Sequence, residues 1–474
     1  MSINREKRVD AKDVEQEEDD TLFSWFPWLT LRRLTFLVIG WTALFAFISL
    51  AIANPLQGEV NAAAEPIFHN LMFLHGLLVS AVGLGALLLW KVLSLHSHAL
   101  RAWVAGCIVG SCFLAAVGGI YDTGIDRVWW GQEYGFILME IILLLLIVGI
   151  IREWTRKSPV SKTIPFITAF LATASMLIAA GMGNLNGMVM EFGSTSPIKA
   201  FSSFAGFAST NDFAAALSGS HSHQMVVAAM GGAIVLLALT FGFNTIKGMP
   251  KAIARMGLSI VALGIVVMTV MYIAVAFSTW QPPNIGAVAG DDIVTGMLVM
   301  GGGLVVIASV LGARLKTVGS AGLVAGWAWL LSFLTIVVAG YYIEQNEGFF
   351  GAGAPAAGAA NDAVFNFFHQ DVGLFLFPAL VLALVAIKLY LADRHQPVVS
   401  WLIAAGGAIL VAGGGIWVFS NPALHGSGYD ISAIGLAIIM LGILITLWWG
   451  PWQQETWQYR ISMTRSQAAH LPVR

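Results

Sequence analysis

Twelve apolar runs, each long enough to cross about 30 Å of hydrocarbon, fall at roughly 34–54, 68–92, 102–121, 135–151, 164–182, 224–245, 252–277, 293–313, 321–342, 368–391, 400–419 and 431–449. A chain built this way folds as a set of membrane helices. With 58% hydrophobic and 11% charged residues, it lies far outside the soluble range. The sequence predicts an all-α integral membrane protein with twelve transmembrane helices over residues 34–449. Residues 1–33 form a polar, mostly disordered tail and residues 450–474 a second tail.

Basic residues set the orientation, because Lys and Arg stay on the cytoplasmic side during insertion. With the N-terminus inside, 22 of the 24 Lys and Arg residues fall on the inner side, leaving only Arg127 and Lys199 outside. A wrong helix count would scramble that bias. Both termini are therefore expected in the cytoplasm. The net charge of −2 is small and the basic residues are spread over seven inner segments, so nothing argues for nucleic acid. Cys107 and Cys112 fall in one span, five residues apart, and read as packing residues. Two outer loops, at roughly 183–220 and 343–367, are unusually long and read as caps over a site or contacts for a partner.

Histidines recur with the helices. His69 and His75 open the second span, His221 and His223 the sixth, and His369 the tenth, all at the outer level. His75 and His223 are 148 residues apart and His223 and His369 are 146 apart, so one unit of about four helices occurs three times, near 34–151, 164–313 and 321–449. Imidazoles at membrane depth are costly and are kept for pathways, relays or metal ligation. In His221-Ser222-His223 the two rings diverge by ~200° on a helix and face two neighbouring cavities. His69 lies ~9 Å along the axis from His75, at the mouth of the bundle, with His75 deeper. Two imidazoles from facing helices can hold a heme iron as a low-spin carrier, whereas one leaves an open position. A working assignment pairs His75 with His223 and His221 with His369; the pairing within the His-Ser-His segment can be reversed.

Two carboxyls lie near this level. Glu140, in GFILMEIILLLL, suits a proton relay or a non-heme metal ligand. Asp371, two residues after His369, suits orientation of an imidazole or a helix cap. The tryptophans cluster near span ends as an interfacial belt.

With helix count, orientation, repeat period and the histidine-bearing spans in place, the chain resembles the catalytic subunit of the heme-copper oxidase superfamily, which includes cytochrome c oxidases and nitric oxide reductases. HSHQMVVAAMGGAI is similar to the family's His-x-His heme helix, and FHQDVGLFLFPALV to its helix with a His near the start. The resemblance covers roughly 34–449. It implies three pseudo-symmetric arcs of four helices, b-type heme (one or two), electron transfer to oxygen, nitric oxide or another small acceptor, and a location in a prokaryotic cytoplasmic membrane. A further subunit, a soluble cytochrome on the outer side, or quinol would donate electrons. The His-x-His segment lies on the sixth helix rather than the tenth, and the chain has neither His-Pro-Glu-Val-Tyr nor a His-His pair. Copper or non-heme iron would thus sit without the usual three-histidine motif. Lacking Cys-x-x-Cys-His, the chain holds no covalently attached heme. Two other readings of the same residues are a heme protein that only carries electrons or binds gas, and a twelve-helix transporter.

Overall fold

The computed structural model describes residues 21–23, 25–26, 28–52, 75–95, 97–121, 129–156, 163–192, 202, 206–207, 209–241, 243, 246–277, 284–312, 315–347, 368, 372–373, 376–419 and 425–452. The α-helices among them run in chain order as α1 (Leu31–Ile52), α2 (His75–Val92), α3 (His98–Tyr121), α4 (Trp129–Arg156), α5 (Thr163–Phe192), α6 (Thr210–Thr240), α7 (Gly248–Phe277), α8 (Asn284–Gly312), α9 (Leu315–Glu347), α10 (Phe377–Tyr390), α11 (Gln396–Phe419) and α12 (His425–Trp449). The described residues contain no strand, only an antiparallel bridge between Thr21 and Thr30 ahead of α1. Seven helices, α4, α5, α6, α7, α9, α11 and α12, hold segments long and apolar enough to cross a membrane. The chain is an all-α membrane protein. Helices suit that setting because they satisfy their own backbone groups, which lipid cannot do.

Side-chain hydroxyls in the spans are absorbed the same way. Thr35, Thr42, Thr173 and Ser309 each donate to the carbonyl four residues back.

The packing places three helices at the centre. α2, α6 and α10 contact one another pairwise. Around them each remaining helix packs on the next, in the order α1, α3, α4, α5, α7, α8, α9, α11, α12, and α12 returns to α1. Arg32 on α1 fastens that last junction, with Nε and Nη2 donating to Gly450 O at 2.9 and 2.7 Å. Burial follows the arrangement: 78% of the apolar segment of α6 is buried, against 39% in α4, α7 and α12. In α10 every residue except Lys388 is buried. Among the described side chains, the large exposed apolar ones belong to the peripheral helices and to the segment before α1, and none belongs to α2, α6 or α10. Close backbone approaches need glycine at two outer-helix pairs. A Cβ on Gly257 or Gly301 would come within 2.4 to 2.6 Å of the partner's carbonyl between α7 and α8, and one on Gly406 or Gly435 would come within 2.6 Å between α11 and α12.

Among the described residues, the exposed tryptophans gather at one end of the bundle. Trp25 and Trp28 precede α1, Trp103 and Trp401 open α3 and α11, and Trp154 and Trp448 close α4 and α12. That is the Lys- and Arg-rich end, so these rings form an aromatic belt at one interface.

The helices around the first of the two long loops expected from the sequence are longer than the hydropathy runs. α5 continues to Phe192 and α6 begins at Thr210, so the segment between them is 193–209 rather than 183–220. The added turns are held by each other: Met182 and Val189 of α5 pack on Phe213 and Leu217 of α6 and on Ala276 of α7. Ser209 caps α6 in extended backbone (φ −139°, ψ 160°), accepting from Asp212 N at 3.1 Å and donating to Asp212 Oδ2 at 2.7 Å. Likewise α9 runs to Glu347, into the second segment expected as a long loop.

Candidate functional site

The α5–α6 extension changes where the histidines sit. With α6 starting at Thr210, His221 and His223 lie about three turns inside the helix rather than at its mouth. Their rings diverge as the His-x-His spacing requires. His221 turns to α5: its Nδ1 hydrogen-bonds Ala179 O at 2.6 Å. The ring also rests against Gly183, where a methyl group would lie 2.5 Å from Cε1 and 3.0 Å from Nε2. His223 turns to α7 and stacks on Tyr272, with centroids 5.3 Å apart and planes 13° from parallel. Its Nδ1 bonds Gly219 O one turn back at 2.8 Å.

Because a carbonyl can only accept, each Nδ1 carries a proton, which in the neutral imidazole leaves the lone pair on Nε2. Neither Nε2 has a hydrogen-bond partner among the described residues. This is the donor arrangement of an imidazole ready to ligate a metal, with the second nitrogen oriented by a carbonyl.

Glu140 of α4 faces the same α5 segment. Its Oε1 accepts from Asn184 Nδ2 at 2.7 Å and lies 4.0 Å from where a methyl on Gly181 would stand. Glu140 and His221 thus flank α5 on the stretch Ala179–Asn184. Beneath them a separate apolar cluster joins α2, α4, α5 and α6 through Val79, Met139, Met176, Ala179 and Met225. His75 is the first residue of α2, one turn before Val79 in the helical register.

His69, His369 and Asp371 lie outside the described residues, as does all of His75 but its backbone. Phe368, Val372, Gly373 and Leu376 form a π-helical approach to α10, pinned to α9 by Ser332 Oγ donating to Gly373 O at 2.6 Å. The described residues therefore bring together His221, Glu140 and Asn184 around α5, and place His223 with Tyr272. No three His, Cys, Asp or Glu side chains converge on a metal-sized site among the described residues. Cys107 and Cys112 are buried, free thiols in the main apolar core.

Several polar residues at this level escape a reading by histidine spacing. Ser220 and Gln224 are fully buried on α6, and Gln224 Nε2 donates to Ser175 O and Oγ on α5 at 3.2 and 3.3 Å. Thr269 of α7 lies 2.9 Å from the same Ser175 Oγ. Their signal is the density of polar residues in SGSHSHQ, of which Ser220 and Gln224 are the buried members.

Elsewhere, a small apolar pocket opens between α1, α2, α10 and α12. Thr42 is its one polar lining residue, and that hydroxyl is taken by Val38 O, so the cavity offers no chemistry.

In comparison with known proteins, the chain matches no protein-family model, no curated protein and no solved structure.

Proposed function

We propose that this chain is a heme-binding membrane oxidoreductase subunit, a divergent relative of the heme-copper oxidase superfamily. Its twelve helices would all cross the membrane in three arcs of four, with both termini cytoplasmic. The observation that carries the reading is the state of His221 and His223: on a central helix, both rings have Nδ1 tied to a carbonyl, and Nε2 has no hydrogen-bond partner among the described residues. That donor set fits b-type heme. It does not require the three converging ligands of a copper or non-heme iron site.

His221 and His223 would each offer Nε2 to an iron. Of the two pairings, His75 with His221 is better supported, since Ala179, which anchors His221, shares a packing cluster with Val79 one turn from His75. His369 would then serve the site of His223, and His69 would stand at the mouth. A heme held by two imidazoles carries electrons, and one held by a single imidazole leaves a position for oxygen, nitric oxide or another small acceptor. Glu140, fixed by Asn184, would hold or pass a proton beside His221; Asp371 would orient His369. Tyr272 keeps the His223 ring in place by stacking. Electrons would arrive from a soluble cytochrome or companion subunit on the outer side, or from quinol.

The test is the optical spectrum of the purified, full-length protein, oxidised and dithionite-reduced, with and without carbon monoxide. Soret and α bands are expected, with a carbon monoxide shift if one iron is open. His221→Ala and His223→Ala should each remove part of the signal. A colourless, folded preparation overturns the reading.

A further inference from the structure

Ser220 and Gln224 are both fully buried in α6, one turn apart on one face. Ser220 Oγ has no hydrogen-bond partner among the described residues, and neither has Gln224 Oε1. The amide nitrogen of Gln224 is occupied by Ser175 of α5. Thr269 of α7, whose Oγ1 lies 2.7 Å from Ile265 O, also reaches Ser175. Polar side chains from three helices thus converge inside the bundle, and their amide oxygen and one hydroxyl are left over.

The neighbours above and below this layer are apolar. Toward the start of α6, Phe213 and Leu217 continue the same stripe and pack on Met182 of α5 and Ala276 of α7. Toward its end, Gly231 brings Ile265 of α7 so close that a methyl group there would lie 2.5 Å from Ile265 Cδ1. Orphaned polar atoms enclosed this way are rare in native proteins, and in a membrane neither lipid nor bulk water can satisfy them. A bound water can, because it donates to the amide oxygen while accepting from or donating to the hydroxyl, and buried waters typically rest on two to four such partners.

We infer that α5, α6 and α7 enclose a binding site for ordered water, held by Gln224 Oε1 and Ser220 Oγ on the turn of α6 that carries both histidines. The inference goes beyond the heme reading and does not depend on it. The water ties Ser220 to Gln224, and through Gln224 to Ser175 and Thr269, so the polar layer acts as a three-helix lock at the level of His221 and His223.

The experiment pairs a map with a mutant cycle, both on the full-length protein in lipid nanodiscs and neither needing bound heme. A cryo-EM map fine enough to show ordered solvent should have a peak within hydrogen-bond distance of Gln224 Oε1 and Ser220 Oγ. Ser220→Ala and Gln224→Met should each lower the thermal midpoint, and the double variant should fall no further than the worse single, because both residues serve one water. If the site is dry, Ser220→Ala removes an unpaired polar group and raises the midpoint. An empty map at that position, or a stabilised Ser220→Ala with additive effects in the double variant, overturns the inference.

Discussion

Gly183→Ala isolates the seat of His221. The added methyl would lie 2.5, 2.7 and 3.0 Å from three atoms of the imidazole, all well inside contact distance. The ring cannot slide along α5 without leaving Ala179 O, so its 2.6 Å hydrogen bond goes with it. Overpacking of a filled interior costs about 1–3 kcal/mol, and loss of one hydrogen bond adds about 1 kcal/mol. Replacing glycine by alanine inside a helix returns about 1 kcal/mol. The net expectation is a loss of about 1–3 kcal/mol, read as a lowered thermal midpoint in detergent or nanodiscs. Gly181→Ala is the internal control. Two residues away on the same helix, its methyl would stand 4.0 Å from Glu140 Oε1, an ordinary contact, so it should be neutral or stabilising by up to about 1 kcal/mol. If Gly183→Ala matches Gly181→Ala in stability, the His221 ring does not rest against Gly183. In a heme-loaded preparation only Gly183→Ala should also move the α band.

Ser209→Ala removes the cap of α6 and should cost about 1 kcal/mol, seen as faster amide exchange confined to the first turn after Thr210. His395, between α10 and α11, rests against Trp449 at 4.1 Å and accepts from Arg394 Nε at 3.0 Å. Burial first, and then the charge of Arg394, hold its imidazole below the ordinary value. Its folded-state pKa is thus lower than the unfolded one, so its stabilising share is present above the unfolded value and lost as pH falls through the folded one. Thermal midpoints of the native protein and His395→Gln, compared from neutral to mildly acidic pH, should show the native protein losing more on acidification; parallel profiles would refute this.

Much of the scaffold was legible because lipid imposes a simple rule on length and hydropathy. The apolar runs at 252–277 and 400–419 correspond closely to α7 and α11. The α5–α6 extension was not legible, since Gly-, Asn- and Ser-rich stretches read as loop until Met182, Val189, Phe213 and Leu217 are seen to pack on one another. The divergence of His221 and His223 followed from their spacing. The directions they take, one to Ala179 and one to Tyr272, depend on which helices flank α6, and local sequence does not encode that. Gln224 and Ser220 went unread for a related reason. Uncharged polar residues stand out only once their burial is known.

The polar turn of α6 also constrains how the protein is made. A segment reading SGSHSHQ partitions poorly into lipid by itself, yet Ser175, Ala179 and Gly183 on α5 meet it side by side. Synthesis delivers α5 first. The two should therefore leave the insertion machinery as a preassembled hairpin, and weakening α5 would show up as failed insertion of α6 before any loss of stability in the finished protein.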